Sequence, residues 1–149
     1  MLAAKGLVAM TQVMSDRQVL PLPRTGPPPL RQVRSWTAAL LDEHPADTRD
    51  DVVLTASELV LNAYEHGEAP VELALVLGEG STVRVEVSDC SAQPPKVRSP
   101  RPDEHRGRGL VMVTAYASRW GWRPTAEGKA VWVEFAPHHA LRSPGTALG

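Results

Sequence analysis

The chain has 149 residues, a formal net charge of −1 and 42% hydrophobic residues, which suits one domain with a real core and leaves little room for two. The balanced charge excludes the broad positive field on which direct nucleic-acid binding depends, and no apolar run is long enough to cross a membrane. Because the single cysteine, Cys90, cannot form an internal disulfide, we expect a reducing compartment and a cytoplasmic location.

The predicted elements begin with a strand and two helices. Residues 18–23 predict a short edge strand, since prolines inside a sheet remove ladder donors. Apolar residues at helical spacing predict a helix over 30–41 that stops before Pro45. Asp47 is a plausible N-cap for a second helix, which runs to about Glu65 and ends at Gly67 in the manner of a C′ glycine.

The second half of the chain predicts strands around one long loop and one helix. Residues 71–77 and 82–88 read as two strands joined by a hairpin at "GEGS". Residues 89–106 carry several prolines and predict a long surface loop of the kind that is often functional. A helix is predicted after it, through Leu110, and two further strands follow, the last being "GKAVWVEF".

This order of elements predicts an α+β fold. We expect a two-layer α/β sandwich with helices on one face of a mixed, mostly antiparallel sheet. The domain is assigned to residues 18–136, between a flexible N-terminal extension over 1–17 and a flexible C-terminal tail over 137–149.

A polar line runs along the second predicted helix. Glu58, Asn62 and His66 are spaced four residues apart, so they lie on one helix face within an otherwise apolar segment. A carboxylate there is suited to act as a general base, and a side-chain carbonyl suits a hard cation such as Mg²⁺. His66, near the helix end, is a candidate ligand contact or simply a favourable charge at the helix dipole.

Further candidate residues lie in the second half of the chain. Asp89 ends an apolar strand, where a carboxylate can accept a hydrogen bond from an exocyclic amine such as that of adenine. "GRGL" opens a helix, where backbone amides and the helix dipole favour phosphate. Lys129 is a possible nucleotide contact or a turn lysine. The candidate contacts added from these segments are Ser91, Arg106, Gly107, Arg108, Gly109, Leu110 and Lys129.

Several common site types are excluded by their missing motifs. The sequence has no Walker phosphate loop, and "GRGL" lacks the third glycine and the preceding strand of a dinucleotide-binding fingerprint. It has no G-x-S-x-G nucleophile elbow, and Cys90 has no nucleophilic context.

These segments, in this order, resemble the motifs of the GHKL (histidine-kinase-like) ATPase superfamily. "SELVLNAYEHG" is similar to its N box, "VEVSDCS" to its first glycine-box region and "GRGLVMVTAYASRWGW" to its second. More closely, the chain resembles small bacterial anti-sigma-factor serine/threonine kinases. The resemblance implies the Bergerat ATP-binding fold, ATP and Mg²⁺ as ligands, and a homodimer.

The resemblance also implies roles for individual residues. Glu58 would be the catalytic base, Asn62 the Mg²⁺ ligand and Asp89 the adenine contact. Gly107 and Gly109 would bend the backbone of a lid around the phosphates. The implied activity is phosphorylation of a small antagonist protein on serine or threonine, together with sequestration of a sigma factor.

Two other functions stay open from the sequence. Cys90, Ser91 and Ala92 replace the glycines usual after the aspartate, and Ala130 replaces a common hydroxyl residue, which favours a nucleotide-binding interaction module with weak or no kinase activity. A detached histidine-kinase catalytic domain is a further alternative. It is disfavoured because the sequence has no phospho-accepting dimerisation helix.

Overall fold

The computed structural model describes residues 16–95 and 117–136, and the structural statements below concern these two stretches. Their elements in chain order are β1 (Asp16–Pro21), α1 (Leu30–Leu40), α2 (Ala46–His66), β2 (Glu72–Leu77), β3 (Val83–Asp89), β4 (Arg119–Pro124) and β5 (Lys129–Phe135). The helix predicted through Leu110 lies outside the described residues. Among the described helices, none is long and apolar enough to span a membrane.

The five described strands form one sheet in the order β1-β2-β3-β5-β4. Each neighbouring pair is antiparallel, so the parallel component of the predicted mixed sheet is not found in this part of the chain. Short turns join β2 to β3 and β4 to β5, and such connections give antiparallel neighbours. The predicted α+β fold with a mostly antiparallel sheet is confirmed.

The core lies between the sheet and α2. Alternate residues of β3 and β5 point toward the helices, as the period of two requires, and α2 presents its apolar stripe to them. Fully buried members of this core include Val52, Leu59, Val60, Leu73, Leu75, Val85 and Val133. This packing holds the C-terminal half of α2 against the ends of β3 and β5.

The opposite face of the sheet is polar, and its side chains pair with one another. Glu86 is only 5% exposed and is bound by Arg123, while the guanidinium of Arg84 lies 4.1 Å from the centre of the Trp132 ring. Two further ion pairs on this face are Arg17–Glu72 at 2.8 Å and Arg119–Glu134 at 2.9 Å. Ala130, which lies on the same face, is fully buried.

Three predicted boundaries need correction. β1 begins at Asp16, so Asp16 and Arg17 belong to the sheet and not to the N-terminal extension predicted over 1–17. It ends at Pro21, although residues 18–23 predicted a strand continuing to 23. α2 begins at Ala46, with Pro45 at the N-cap instead of Asp47. Pro45 has extended backbone (φ −54°, ψ 145°) and lies outside the helix, and Asp47 in the first turn still interacts favourably with the helix dipole.

The glycine that ends α2 was predicted for the wrong reason. Gly67 has φ −88° and ψ −168°, which is extended backbone open to any residue, so no left-handed C′ geometry is present. The reason for glycine here is space, because a Cβ at this position would lie 2.6 Å from the carbonyl oxygen of Ala63 and 2.5 Å from a carboxylate oxygen of Asp89.

Candidate functional site

A cavity of about 490 Å³ opens between the C-terminal half of α2 and the ends of β3 and β5. Its apolar walls come from Leu59 and Ala63 on the helix and from Val87 and Val131 on the sheet. The polar side chains that line it are Asn62, His66, Glu68, Asp89, Ser91, Gln93 and Lys129. Apolar walls with a few polar groups are typical of a small-molecule site.

A buried ion pair between Asp89 and Lys129 lines this cavity. Asp89 is 2% exposed and Lys129 is 4% exposed. The ammonium nitrogen Nζ lies 3.0 Å from both carboxylate oxygens, Oδ1 and Oδ2. The two residues are directly opposite in the β3–β5 pairing, so their side chains project on the same face. Each charge compensates the other where water is excluded.

The Asp89 carboxylate is fixed from a second side by its own loop. The backbone N–H of Ser91 donates to Oδ1 at 2.7 Å, and the Ser91 hydroxyl oxygen accepts from the backbone N–H of Gln93 at 3.2 Å. The backbone N–H of Cys90 bonds the Glu68 carbonyl at 2.6 Å, which ties the start of this loop to the segment after α2. The carboxylate is therefore held in one orientation.

Gly128 lets the β4–β5 turn come close to this loop. A Cβ at residue 128 would lie 2.3 Å from the Asp89 carbonyl oxygen and 2.6 Å from the Cα of Cys90. The turn itself is closed by the Thr125 hydroxyl, which accepts from the Gly128 N–H at 3.0 Å. Lys129 is the next residue, so the close approach of Gly128 to Asp89 and Cys90 also sets the position of the Lys129 backbone.

The helix α2 contributes two members of the predicted polar line to the cavity. Asn62 and His66 both line it, one turn apart, as their four-residue spacing predicted. His66 Nε2 also lies 3.8 Å from a carboxylate oxygen of Glu65. The cavity thus combines an amide, an imidazole and an ion pair around an apolar space.

Comparisons with known proteins identify the family of this chain. A model described as "Histidine kinase-like ATPase domain" matches residues 26–135. The chain belongs to the histidine kinase-like ATPase domain family. A solved structure described as "the RsbU and RsbW domains of Rv1364c from Mycobacterium tuberculosis" is similar, with a TM-score of 0.58 and 25% identity. The match covers 82% of this chain and 32% of that chain. Curated protein sequences gave no match.

This family assignment confirms the resemblance to histidine-kinase-like ATPases that the three sequence motifs indicated. It supports an ATP-binding regulatory role for the domain. The structure brings Asn62, His66, Asp89, Ser91 and Lys129 together around the cavity, although their nucleotide contacts remain predictions. The other predicted contacts, Arg106, Gly107, Arg108, Gly109 and Leu110, lie outside the described residues.

Glu58, the predicted base of the ATPase domain, lies one turn before Asn62 and outside the lining of the described cavity. It is half-buried on α2. Burial raises the pKa of the Glu58 carboxyl above its ordinary value, the nearby charge of Glu65 raises it further, and Arg34 partly opposes the shift. A carboxyl with a raised pKa holds a proton more readily than a solvated one, which is a property of general bases.

Two features of the cavity were missed or misread in the sequence. Lys129 is buried in β5, so its interpretation as a turn lysine is wrong. Its pairing with Asp89 depends on strand register between segments 40 residues apart, which the sequence does not reveal. The two-residue alternation of the strand did indicate the direction of the Asp89 side chain, because Asp89 continues the inward-facing series of Val85 and Val87.

The side chain of Ala130 does not face the cavity. It alternates with Lys129 and Val131, which line the cavity, and therefore points to the opposite face of the sheet, where it pairs with Ser88. A hydroxyl at this position would not reach a nucleotide in the cavity. The departure from the family pattern at residue 130 thus does not argue against nucleotide binding.

Proposed function

We propose that this domain binds Mg·ATP, phosphorylates a small antagonist protein on serine or threonine, and sequesters a sigma factor. The observation that carries the nucleotide part is the buried Asp89 carboxylate, held at the edge of an apolar-walled cavity. Such a carboxylate accepts a hydrogen bond from the exocyclic amine of adenine. The kinase and sigma-factor parts depend on the resemblance to anti-sigma kinases and on the likeness to a structure that contains an RsbW domain.

The described cavity fits the adenine end of a nucleotide. Leu59, Val87 and Val131 offer apolar surfaces to the faces of a base, and Asp89 offers an acceptor at its edge. Gly67 places no side chain between the end of α2 and Asp89, so the carboxylate stays accessible from the cavity. The segment proposed to hold the phosphates, "GRGL", lies outside the described residues.

Asn62 is the proposed protein ligand of Mg²⁺. Within residues 16–95 and 117–136, no group of three or more His, Cys, Asp or Glu side chains could hold a metal ion. This fits Mg²⁺ bound with a nucleotide, because that ion keeps several waters and takes few protein ligands besides phosphate oxygens. Bound Mg·ATP would supply the transferable phosphoryl group. Glu58, on the same helix face, would accept the proton of the attacking hydroxyl.

A second candidate function is a nucleotide-binding interaction module with weak or no kinase activity. The residues after Asp89 favour it, because Cys90, Ser91 and Ala92 stand where the resemblance expects glycines. Transfer of labelled phosphate from ATP to a co-purified antagonist separates the two functions. A kinase loses at least about a hundredfold in rate with Glu58→Gln while Mg·ATP affinity is kept. Equal slow turnover in wild type and Glu58→Gln supports the module.

The first experiment is calorimetric titration with ATP and with ADP, with and without Mg²⁺. Wild type should bind more tightly with Mg²⁺, and Asn62→Ala should lose that gain while it keeps the metal-free affinity. Gln32→Ala is the matched control, since it removes an exposed amide from α1, away from the cavity. Folded wild-type protein that binds neither nucleotide would overturn the proposal. An Asn62→Ala protein with unchanged Mg²⁺ dependence would overturn the metal assignment alone.

A further inference from the structure

We propose that Lys129 recognises the nucleobase directly. It donates a hydrogen bond to ring nitrogen N1 of adenine, next to the 6-amino group, which donates a hydrogen bond to Asp89. This inference rests on the proposed nucleotide binding and adds to it a second base-specific residue. Lys129 lines the cavity next to Asp89, so the two side chains present a donor and an acceptor side by side.

The hydrogen-bonding capacity of the pair leaves room for a ligand on both partners. An ammonium carries three protons, and the two hydrogen bonds found for Nζ among the described residues both go to Asp89. A carboxylate has about four acceptor positions. Oδ1 accepts from Ser91 and Lys129, while Oδ2 accepts from Lys129 alone within the described part of the chain. Oδ2 therefore has an acceptor position left beside a donor that also has a proton left.

The edge of adenine matches this pattern. Its 6-amino group is a donor, and the adjacent N1 is an acceptor, so one edge of the base satisfies both groups of the ion pair. Lys129 is only 4% exposed, and a buried ammonium proton without an acceptor is costly, which makes the second contact favourable. A purine with a proton on N1 would place two donors against each other in the same pose.

The ion pair is also suited to a structural role, and the test must separate the two roles. A purely structural lysine would keep Asp89 in place and affect all adenine nucleotides equally. A lysine that reads N1 affects only ligands that have an acceptor at that position. Removing one ligand atom therefore distinguishes the two without disturbing the protein.

The experiment measures Kd for ADP and for 1-deaza-ADP, in which a C–H replaces N1, on wild type and on Lys129→Met. Both proteins are first checked for the native circular dichroism spectrum. Wild type should bind 1-deaza-ADP about ten- to a hundredfold more weakly than ADP, the range for a hydrogen bond to a charged group. In Lys129→Met the ratio should fall to about one, and Lys129→Arg should restore part of it. The ratio cancels any general loss caused by the unpaired Asp89.

Three results would overturn the inference. Equal binding of the two nucleotides by wild type leaves Lys129 as a purely structural residue while nucleotide binding stands. A wild-type ratio that Lys129→Met leaves unchanged assigns the N1 contact to another group. Binding of neither nucleotide to folded wild type overturns the proposed function as well. If Lys129→Met does not fold, the wild-type ratio by itself tests whether N1 is read, and the Lys129→Arg ratio tests whether residue 129 reads it.

Discussion

Gly67 and Asp89 are in such close contact that a Cβ on residue 67 would lie 2.5 Å from Oδ2 of Asp89. The backbone of Gly67 is extended and would accept any residue, so the constraint is one of space alone. This contact fixes the end of α2 relative to the end of β3. It therefore fixes Asn62 and His66 relative to the Asp89 carboxylate.

Gly67→Ala should lower the stability of the fold and also weaken nucleotide binding. Overpacking against Asp89 and the Ala63 carbonyl should cost about 1–3 kcal/mol of unfolding free energy. It should also weaken ADP binding, since the carboxylate has to move. Urea unfolding and calorimetry measure the two effects. Gly78→Ala is the matched control, because the nearest heavy atom to its Cβ would be 3.6 Å away. Equal behaviour of the two variants would contradict the role of the contact.

Removing one partner of the buried Asp89–Lys129 ion pair should lower the free energy of unfolding. Replacing both partners with apolar residues should lower it much less. Asp89→Ala leaves the ammonium of Lys129 buried without its partner and should lower the unfolding free energy by about 3–5 kcal/mol. The double variant Asp89→Leu with Lys129→Met should recover most of that loss and still fail to bind ADP.

An exposed ion pair supplies the control for this prediction. Arg24 and Glu127 are 3.3 Å apart, and each side chain is 58% exposed. Glu127→Gln should change the free energy of unfolding by no more than about 0.5 kcal/mol, as is usual for surface pairs. A double variant at Asp89 and Lys129 that is as unstable as Asp89→Ala would show that the loss comes from packing and not from the unpaired charge.

Glu58 should make the stability of the domain fall as pH rises. Burial, with help from Glu65, raises its pKa in the folded state above the ordinary value of 4.5, so the folded state holds this proton more tightly than the unfolded chain. The loss of unfolding free energy begins near pH 4.5 and is complete above the raised pKa of the folded state. Glu58→Gln should therefore stabilise the domain at pH 7, by no more than about 0.5 kcal/mol for a half-buried group, and should have little effect at pH 4.

Urea unfolding of wild type and Glu58→Gln at pH 4 and pH 7 measures this dependence. Glu79→Gln, on the exposed turn after β2, corrects for the general effect of removing one negative charge. A Glu58→Gln protein that is destabilised at pH 7 would mean that the carboxylate makes a favourable contact in the folded state.

The fold was largely predictable because its signals are local. Alternation in the segment that became β3 identified a strand with one covered face, and the apolar stripe around Leu59 identified α2. The sheet order was not predictable, since β5 inserts between β3 and β4 through contacts distant in sequence. The start of α2 was misplaced because Asp47 is a good N-cap by type, while the helix begins at Ala46, directly after the extended Pro45 and without a side-chain cap.

The site was predictable in its helical half and less so in its sheet half. Asn62 and His66 follow from helical spacing, and both line the cavity. The partner of Asp89 was not predictable, because a one-residue change in strand register would turn Lys129 to the other face of the sheet. The need for glycine at residue 67 depends on a neighbour 22 positions later in the chain, which no local pattern reports.

The two outermost strands of the described sheet, β1 and β4, each end in a proline at the end of the sheet nearest the cavity. Pro21 and Pro124 have no backbone N–H, so neither strand offers an unbroken row of donors to an added strand. Charged residues on both strands add to this protection against strand addition. A second copy of the chain that assembles with this one is therefore expected to pack against a face of the domain, not to lengthen its sheet.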